Sequence, residues 1–486
     1  MDPFATATSL TDAIRAGDLS AVEALDETLS RVGQVNPQIN AIVALDEERA
    51  RAAAADADAA LARGESVGPL HGLPMTIKDS WETEGLVTAC GVPDLAQHVP
   101  AADAPAVARL RGAGAVIFGK TNTPMMAMDI QSYNDVYGTT NNPWNLERTS
   151  GGSSGGACAA LATGLTALEL GSDIGGSIRT PAGYCGVYGH KSSYGVVPQR
   201  GHIPGPPGAL GVPDLNVAGP LARSAEDLDL ALGVLAGPDD WDARAWTLSL
   251  PPARATALRD FRVAAWLDDA SCRVDDAVRE RHEALVEALR GAGVEVDTEA
   301  RPALSLDDAV SAYLPLLGAV IGAGLPPEVY DRLVGLVAAS DPQDDSPMTR
   351  YARVLTISAR DRVFMNEWRQ QQRAAWSDFF TRFDVLLTPV TPVPAIPHDH
   401  SAPMPLRTVT INGEERSYLD LFSWIAPATA ALLPATSAPA GPTPEGLPVG
   451  VQIVGPHLED RTPIAFARAL AEVAGGFTAP PAYAAA

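Results

Sequence analysis

Two glycine-packed segments, each carrying serine, constrain this chain more than anything else in it. The first reads Gly151-Gly152-Ser153-Ser154-Gly155-Gly156 and the second Asp173-Ile174-Gly175-Gly176-Ser177-Ile178-Arg179. Glycine weakens helix and strand interiors alike, so neither segment suits the middle of a regular element. Both leave backbone N–H groups open beside a hydroxyl. Acyl transfer needs that pairing: an oxygen nucleophile, and donors for the charge that develops on the attacked carbonyl. Ser153 and Ser177 stand 24 positions apart. The chain reads first as a serine hydrolase.

The surrounding pattern alternates helix and strand. Ser20 and Glu23 form a capping-box pair before Val22, Leu25, Leu29 and Val32, and Asn36-Pro37 is expected to end that helix. An alanine-rich helix is predicted over 45–63. A buried strand over 74–77 delivers Lys78 to its end. Helix over 106–112 and strand over 115–118 follow. A packed helix leaves the first glycine–serine segment (155–164), and a strand (165–170) runs into the second. Ser224 caps a helix that ends near Gly237. Strands at 262–266 and 294–296 flank a helix over 274–291. Residues 305–380 are mostly helical, and strands return at 384–389 and 449–454. No repeat or linker interrupts this order, so the expectation is one α/β unit with a large sheet. Within it, 1–65 is an N-terminal helical segment, 66–240 the catalytic core and 300–380 a variable helical region near the substrate.

Composition removes several function classes. The net charge of −24 repels phosphate backbones and anionic lipid, so neither nucleic acid nor membrane is an expected partner. The most apolar stretch, 313–325, contains a proline and three glycines and is too short to span a bilayer. Four cysteines without CxxC spacing, and a start without a signal-peptide pattern, lead to the expectation of a reducing cytoplasm. The eight histidines show no metal spacing; His398-Asp399-His400 reads as a solvated loop, and no metal or cofactor is expected. Lysine is scarce: Lys78, Lys120 and Lys191 stand against 32 arginines. A lysine retained in such a chain offers what arginine cannot, an amine able to lose its proton.

Gly151 to Gly156 also fits the G-x-S-x-G nucleophile elbow around Ser153 or Ser154. The elbow requires a strand immediately before it. Residues 142–150 read as loop, so the elbow is rejected.

The ordered segments resemble the amidase signature family of amide hydrolases. His71-Gly72-Leu73-Pro74 with Ile77-Lys78-Asp79, Gly119-Lys120-Thr121-Asn122, both glycine–serine segments, Cys185-Gly186-Val187, Gly219-Pro220-Leu221-Ala222-Arg223-Ser224, Leu387-Thr388-Pro389 and Gly446-Leu447-Pro448-Val449-Gly450-Val451-Gln452 all fit. They span residues 70–455. The chain departs at Lys191-Ser192-Ser193, where the family commonly has Lys-Pro-Thr, a change expected to touch only loop packing.

The resemblance implies a single amidase-signature domain over 1–486: a large, mixed, twisted β-sheet with helices on both faces. It implies a Ser–cis-Ser–Lys triad in which Ser177 is the nucleophile, Ser153 the cis-serine and relay, and Lys78 the base. The N–H groups of Ile174, Gly175, Gly176 and Ser177 would hold the oxyanion. Asp173 and Arg179 would brace the loop. Ser154 is either a second relay or structural support, and the latter is preferred. Cys185 reads as a small buried hydrophobe rather than a nucleophile. Met125, Met126, Met128, Ile130 and Tyr133 are candidates for an apolar pocket, with core packing an equal alternative, and 201–208 for its rim. No arginine can be assigned to a substrate carboxylate.

The expected activity is hydrolysis of linear C–N bonds in small apolar or aryl amides, with carbamates and urethanes open to the same chemistry. Two alternatives stand: the glutaminase subunit of a tRNA-dependent amidotransferase, and a non-catalytic binding protein on this fold. The expected partner is a small-molecule amide or carbamate; an oligomer cannot be read from the sequence.

Overall fold

Eleven strands form one sheet in the computed structural model, which describes residues 1–484. In chain order they are β1 (Ile42–Leu45), β2 (Pro74–Lys78), β3 (Val116–Thr121), β4 (Leu168–Asp173), β5 (Tyr188–Lys191), β6 (Val217–Ala222), β7 (Val263–Ala265), β8 (Val296–Asp297), β9 (Val385–Pro389), β10 (Ala435–Pro442) and β11 (Pro448–Val454). Across the sheet the order is β1-β3-β2-β4-β6-β5-β10-β11-β9-β7-β8. The two flanks are partly parallel: β2 runs with β3 and β4, and β7 with β8 and β9. The centre is antiparallel.

Both faces are covered. Along β6, Ala218 and Ala222 enter one core with Leu228, Leu232 and Phe466, while Leu221 enters another with Ala157, Ala160 and Cys185. That alternation is the two-residue period of a strand buried on both sides. The expected mixed sheet between helical layers is therefore present.

Several boundaries move. The first capping box is formed, but its helix runs Ala21–Ile39 with Pro37 inside. Pro37 falls in the last turn, so only its own bond to the preceding turn is lost and the helix ends at Ile39. The stop comes from Asn40, at φ 55°, whose N–H donates to the Asn36 carbonyl. The chain before the first glycine–serine segment is also not all loop. Asn145–Thr149 is a strand, paired with Asn141–Asn142 in a ribbon outside the main sheet. The apolar stretch at 313–325 belongs to a longer helix, Leu306–Ala323. Its 18 residues and mean hydropathy of 1.3 would suffice to cross a membrane by length and composition, but 44% of it is buried within the protein, with the Tyr313 hydroxyl donating to the Ile174 carbonyl at 3.0 Å.

The sheet positions the site directly. β2 and β4 are parallel neighbours, Thr76 opposite Glu169 and Ile77 opposite Leu170. Their carboxyl ends therefore emerge together, and ligands in α/β sheets bind outside such ends. Lys78 ends β2, and Ser172-Asp173 ends β4 and opens into the second glycine–serine segment.

Candidate active site

Lys78 is fully buried and reaches two hydroxyls, Ser153 Oγ at 2.7 Å and Ser172 Oγ at 2.9 Å. Burial pulls its ammonium down to about 8, opposed by the negative charge that Cys90, Asp173, Cys158 and Glu169 can carry. The Gly152–Ser153 peptide bond is cis. Helix Gly155–Ala162 starts immediately after this turn and approaches closely: a Cβ on Gly156 would lie 2.4 Å from the Asn122 nitrogen. The two glycine–serine segments are joined by a backbone bond from the Ser154 N–H to the Ser177 carbonyl at 3.0 Å. Ser154 thus links the loops through its backbone, and its buried hydroxyl has no partner among the described residues.

The Ser177 loop turns about Asp173. One carboxylate oxygen accepts from the Gly176 N–H at 2.9 Å, the other from the Ile178 N–H at 3.1 Å. Arg179 clamps the same carboxylate through Nη2 at 2.8 Å and Nε at 3.0 Å, with both side chains at 0% exposure. Burial works to raise the Asp173 carboxyl, but the adjacent Arg179 guanidinium, Lys191 and the Ile178 N–H together outweigh it and hold the group at about 2. Arg179 is itself held by Thr429, Gln452 and the Ile425 carbonyl. Gly176 adopts φ +87°, a conformation that favours glycine, and a Cβ there would meet Thr180 Oγ1 at 2.7 Å.

This geometry corrects the expected oxyanion donors. The Gly176 N–H is already used by Asp173, because the loop needs that bond to close its turn. The N–H groups of Ile174, Gly175 and Ser177 have no partner among the described residues.

Ser153, Ser172, Ile174, Gly175, Ser177 and His202 lie on one wall of a cavity of about 990 Å³. Met126, Met128 and Ile130 line it, together with Pro204, Gly205 and Pro206 from the 201–208 segment. Met125 does not line it and is 51% exposed. Tyr133 does not line it either: its ring stacks on His400 at 3.6 Å, and its hydroxyl accepts from Arg407 at 2.7 Å. Met126 and Ala127, both at positive φ, turn the chain so that neighbouring side chains part company. Val310, Leu314 and Leu317 from the Leu306–Ala323 helix, with Tyr351 and Leu355, complete a largely apolar wall. Arg350 and Asp420 add opposite charges to it.

A model of the amidase family matches residues 23–463. This chain is a member of the amidase signature family. Among curated relatives of this amidase, a glutamyl-tRNA(Gln) amidotransferase subunit from Roseiflexus sp. (strain RS-1) is 34% identical, over 93% of this chain and 92% of that one. Among solved structures, a crystal structure of an amidase has TM-score 0.76 at 29% identity, over 96% of this chain and 99% of that one. 6-Aminohexanoate cyclic dimer hydrolase complexed with substrate has TM-score 0.78 at 25% identity, over 98% of each chain.

The remaining two lysines of this amidase are also fully buried. Lys120 donates to Thr83 at 2.9 Å, Thr88 at 3.2 Å and the Trp81 carbonyl, and burial lowers it while raising its neighbour Asp79. Lys191 donates to the Leu433 carbonyl at 2.8 Å and is pulled down to about 7 by burial. Ser193, in the departing Lys-Ser-Ser segment, donates to Asp460 from both N–H and hydroxyl at 2.7 Å, a buried contact between segments 267 positions apart and so more than local loop packing. Cys185 is buried, and burial raises its thiol. His398 is half-buried, with Nε2 3.2 Å from the Leu146 carbonyl, so solvation does not describe it.

Sequence reasoning passed over Ser172, Tyr313 and the role of His202. Only the pairing of β2 with β4 reveals Ser172, since nothing in its spacing from Lys78 marks the two as neighbours.

Proposed function

We propose that this amidase hydrolyses linear amides through an acyl-enzyme on Ser177, with Ser153 as relay and Lys78 as base. The observation that carries this is the buried contact between Lys78 Nζ and Ser153 Oγ on the wall that Ser177 shares. A serine hydroxyl attacks only when a base takes its proton, and a lysine is a base only when neutral. Burial moves Lys78 toward that condition by lowering its ammonium to about 8. Ser177 Oγ attacks the carbonyl carbon while its proton passes through Ser153 to Lys78. The oxyanion is held by N–H groups of Ile174, Gly175 and Ser177. The C–N bond breaks as the amine leaves with that proton. Water then attacks the ester by the same relay, releasing acid and restoring Ser177.

The substrate we assign is a bulky apolar or aryl amide. A cavity of about 990 Å³ walled by Met126, Met128, Leu314 and Leu317 suits such groups. Carbamates present the same carbonyl, so urethane bonds fall within this class. The four cysteines are free and buried, which suits the cytoplasmic location we propose.

A second reading is the glutaminase subunit of a tRNA-dependent amidotransferase, working with partner proteins. Sequence relatedness favours it over the first, given the 34% identity to the Roseiflexus protein. Arg350 and Asp420 on the cavity wall offer opposite charges for the carboxylate and ammonium of a free amino acid. A panel of anilides, alkyl amides, carbamates and glutamine, run beside Ser177→Ala, tests both. Turnover of anilides but not glutamine supports the first reading, and glutamine alone supports the second. Undiminished turnover by Ser177→Ala would sink both.

A further inference from the structure

The hydrogen bonds around Lys78 raise a question of direction. A neutral amine has two N–H donors and a single lone pair. Two hydroxyls stand within bonding distance of Nζ, Ser153 Oγ at 2.7 Å and Ser172 Oγ at 2.9 Å. Each hydroxyl can donate or accept. If Ser172 donates to Nζ, the lone pair is occupied and Lys78 cannot take a proton from Ser153. If Ser172 accepts from Nζ, the lone pair is free. The choice depends on where the Ser172 hydroxyl proton goes instead.

His202 supplies that destination. Its Nε2 lies 2.8 Å from Ser172 Oγ. The ring is fixed by its surroundings: it packs on Trp81 with ring centroids 4.5 Å apart, the Trp81 and His202 backbones form a β-bridge, and the Ile203 N–H donates to the Ser80 carbonyl at 2.8 Å. Burial, then the positive charge of Lys78, pushes its imidazolium well below the usual range, so the ring is neutral and one nitrogen accepts. Nδ1 is buried without a partner among the described residues. The Ser172 hydroxyl is thus the one group in position to set the tautomer.

We propose that His202 is a positioning residue for the lysine base: by accepting the Ser172 hydroxyl proton at Nε2, it turns Ser172 into an acceptor toward Lys78 and reserves the Lys78 lone pair for Ser153. The polarity of the chain is then Lys78 N–H to Ser172 Oγ, and Ser172 O–H to His202 Nε2. No bond is made or broken in setting it. The proposal rests on Lys78 acting as the base. The other groups whose charge acts on Lys78 are Cys90, Asp173, Cys158 and Glu169 on neighbouring elements, and a substitution at His202 leaves them in place.

The test compares His202→Leu and His202→Met, which lack an acceptor of comparable strength, with His202→Gln, which retains one. Hydrolysis of a p-nitroanilide and phosphonylation of Ser177 by an alkyl fluorophosphonate are both read per titrated active site, so an unfolded fraction drops out. The two variants without the acceptor are expected to lose on the order of 10- to 100-fold in kcat, with KM within about threefold, and Gln to recover most of the loss. The acid limb of the rate profile should move to lower pH, because donation from Ser172 favours the neutral amine. In a Ser172→Ala background the same His202 substitutions should cost less than about twofold, since the competing hydroxyl is gone. An equal loss in both backgrounds, a change confined to KM, or no rescue by Gln would overturn the proposal. Full activity of Lys78→Ala would instead refute the base assignment on which it rests.

Discussion

Lys78 Nζ and Ser153 Oγ, 75 positions apart in the chain, meet at 2.7 Å with both side chains essentially excluded from solvent. A strand end brings one of them and a glycine turn the other. Burial lowers the Lys78 ammonium, and under the proposed mechanism the contact gives the Ser153 proton somewhere to go.

The first expectation concerns pH. With the Lys78 ammonium pulled down to about 8, kcat/KM should fall roughly tenfold per unit below that pH and level off above it. Lys78→Arg should be as inactive as Lys78→Ala, since a guanidinium stays protonated. Losses of about 100-fold or more are expected for both. A profile flat down to about pH 5 would remove Lys78 from the mechanism.

The two serines should separate by labelling. Ser177→Ala is expected to abolish both turnover and attachment of a fluorophosphonate. Ser153→Ala should cut turnover by about 100- to 10,000-fold while mass spectrometry still finds slow labelling at Ser177. Labelling of Ser153 in the wild type would reverse the roles.

Asp173 and Arg179 should matter for stability as well as for the loop. Removing one partner of a fully buried pair strands the other charge, so Asp173→Asn should cost about 3–5 kcal/mol by denaturant unfolding. The sign with pH follows from the lowered carboxyl. Held at about 2 in the folded protein against an ordinary 3.8, it contributes stability that is fully present above about pH 4 and is lost as pH falls toward 2. The variant should lack that part of the acid sensitivity.

The cavity wall can decide between substrates. Leu314→Trp fills space among the apolar lining residues and should raise KM for bulky anilides at least about tenfold. Arg350→Ala should leave anilides unaffected and, under the glutaminase reading, weaken glutamine by a similar factor. Steady-state kinetics on both substrates with both variants separates the outcomes.

Much of the fold was legible because strand and helix periods are local. The runs that became β2, β9 and β11 are buried on both faces, and the Ser20–Glu23 box is a contiguous signal. Pro37 misled because a proline late in a helix removes only one bond. Met125 and Tyr133 misled because exposure depends on how a turn is rotated, which composition does not encode.

Residue type and order along the chain were enough for the family, for Lys78, Ser153 and Ser177 as candidates, and for the two glycine–serine turns at 151–154 and 174–178. The folded arrangement was needed to see that Asp173 takes the Gly176 N–H, that Ser172 stands beside Lys78, and that His202 faces Ser172 from another loop. Each depends on which strands lie side by side and how far their ends protrude. A few ångströms of register separate a donor that is free from one already engaged, and no spacing rule in the chain carries that distance.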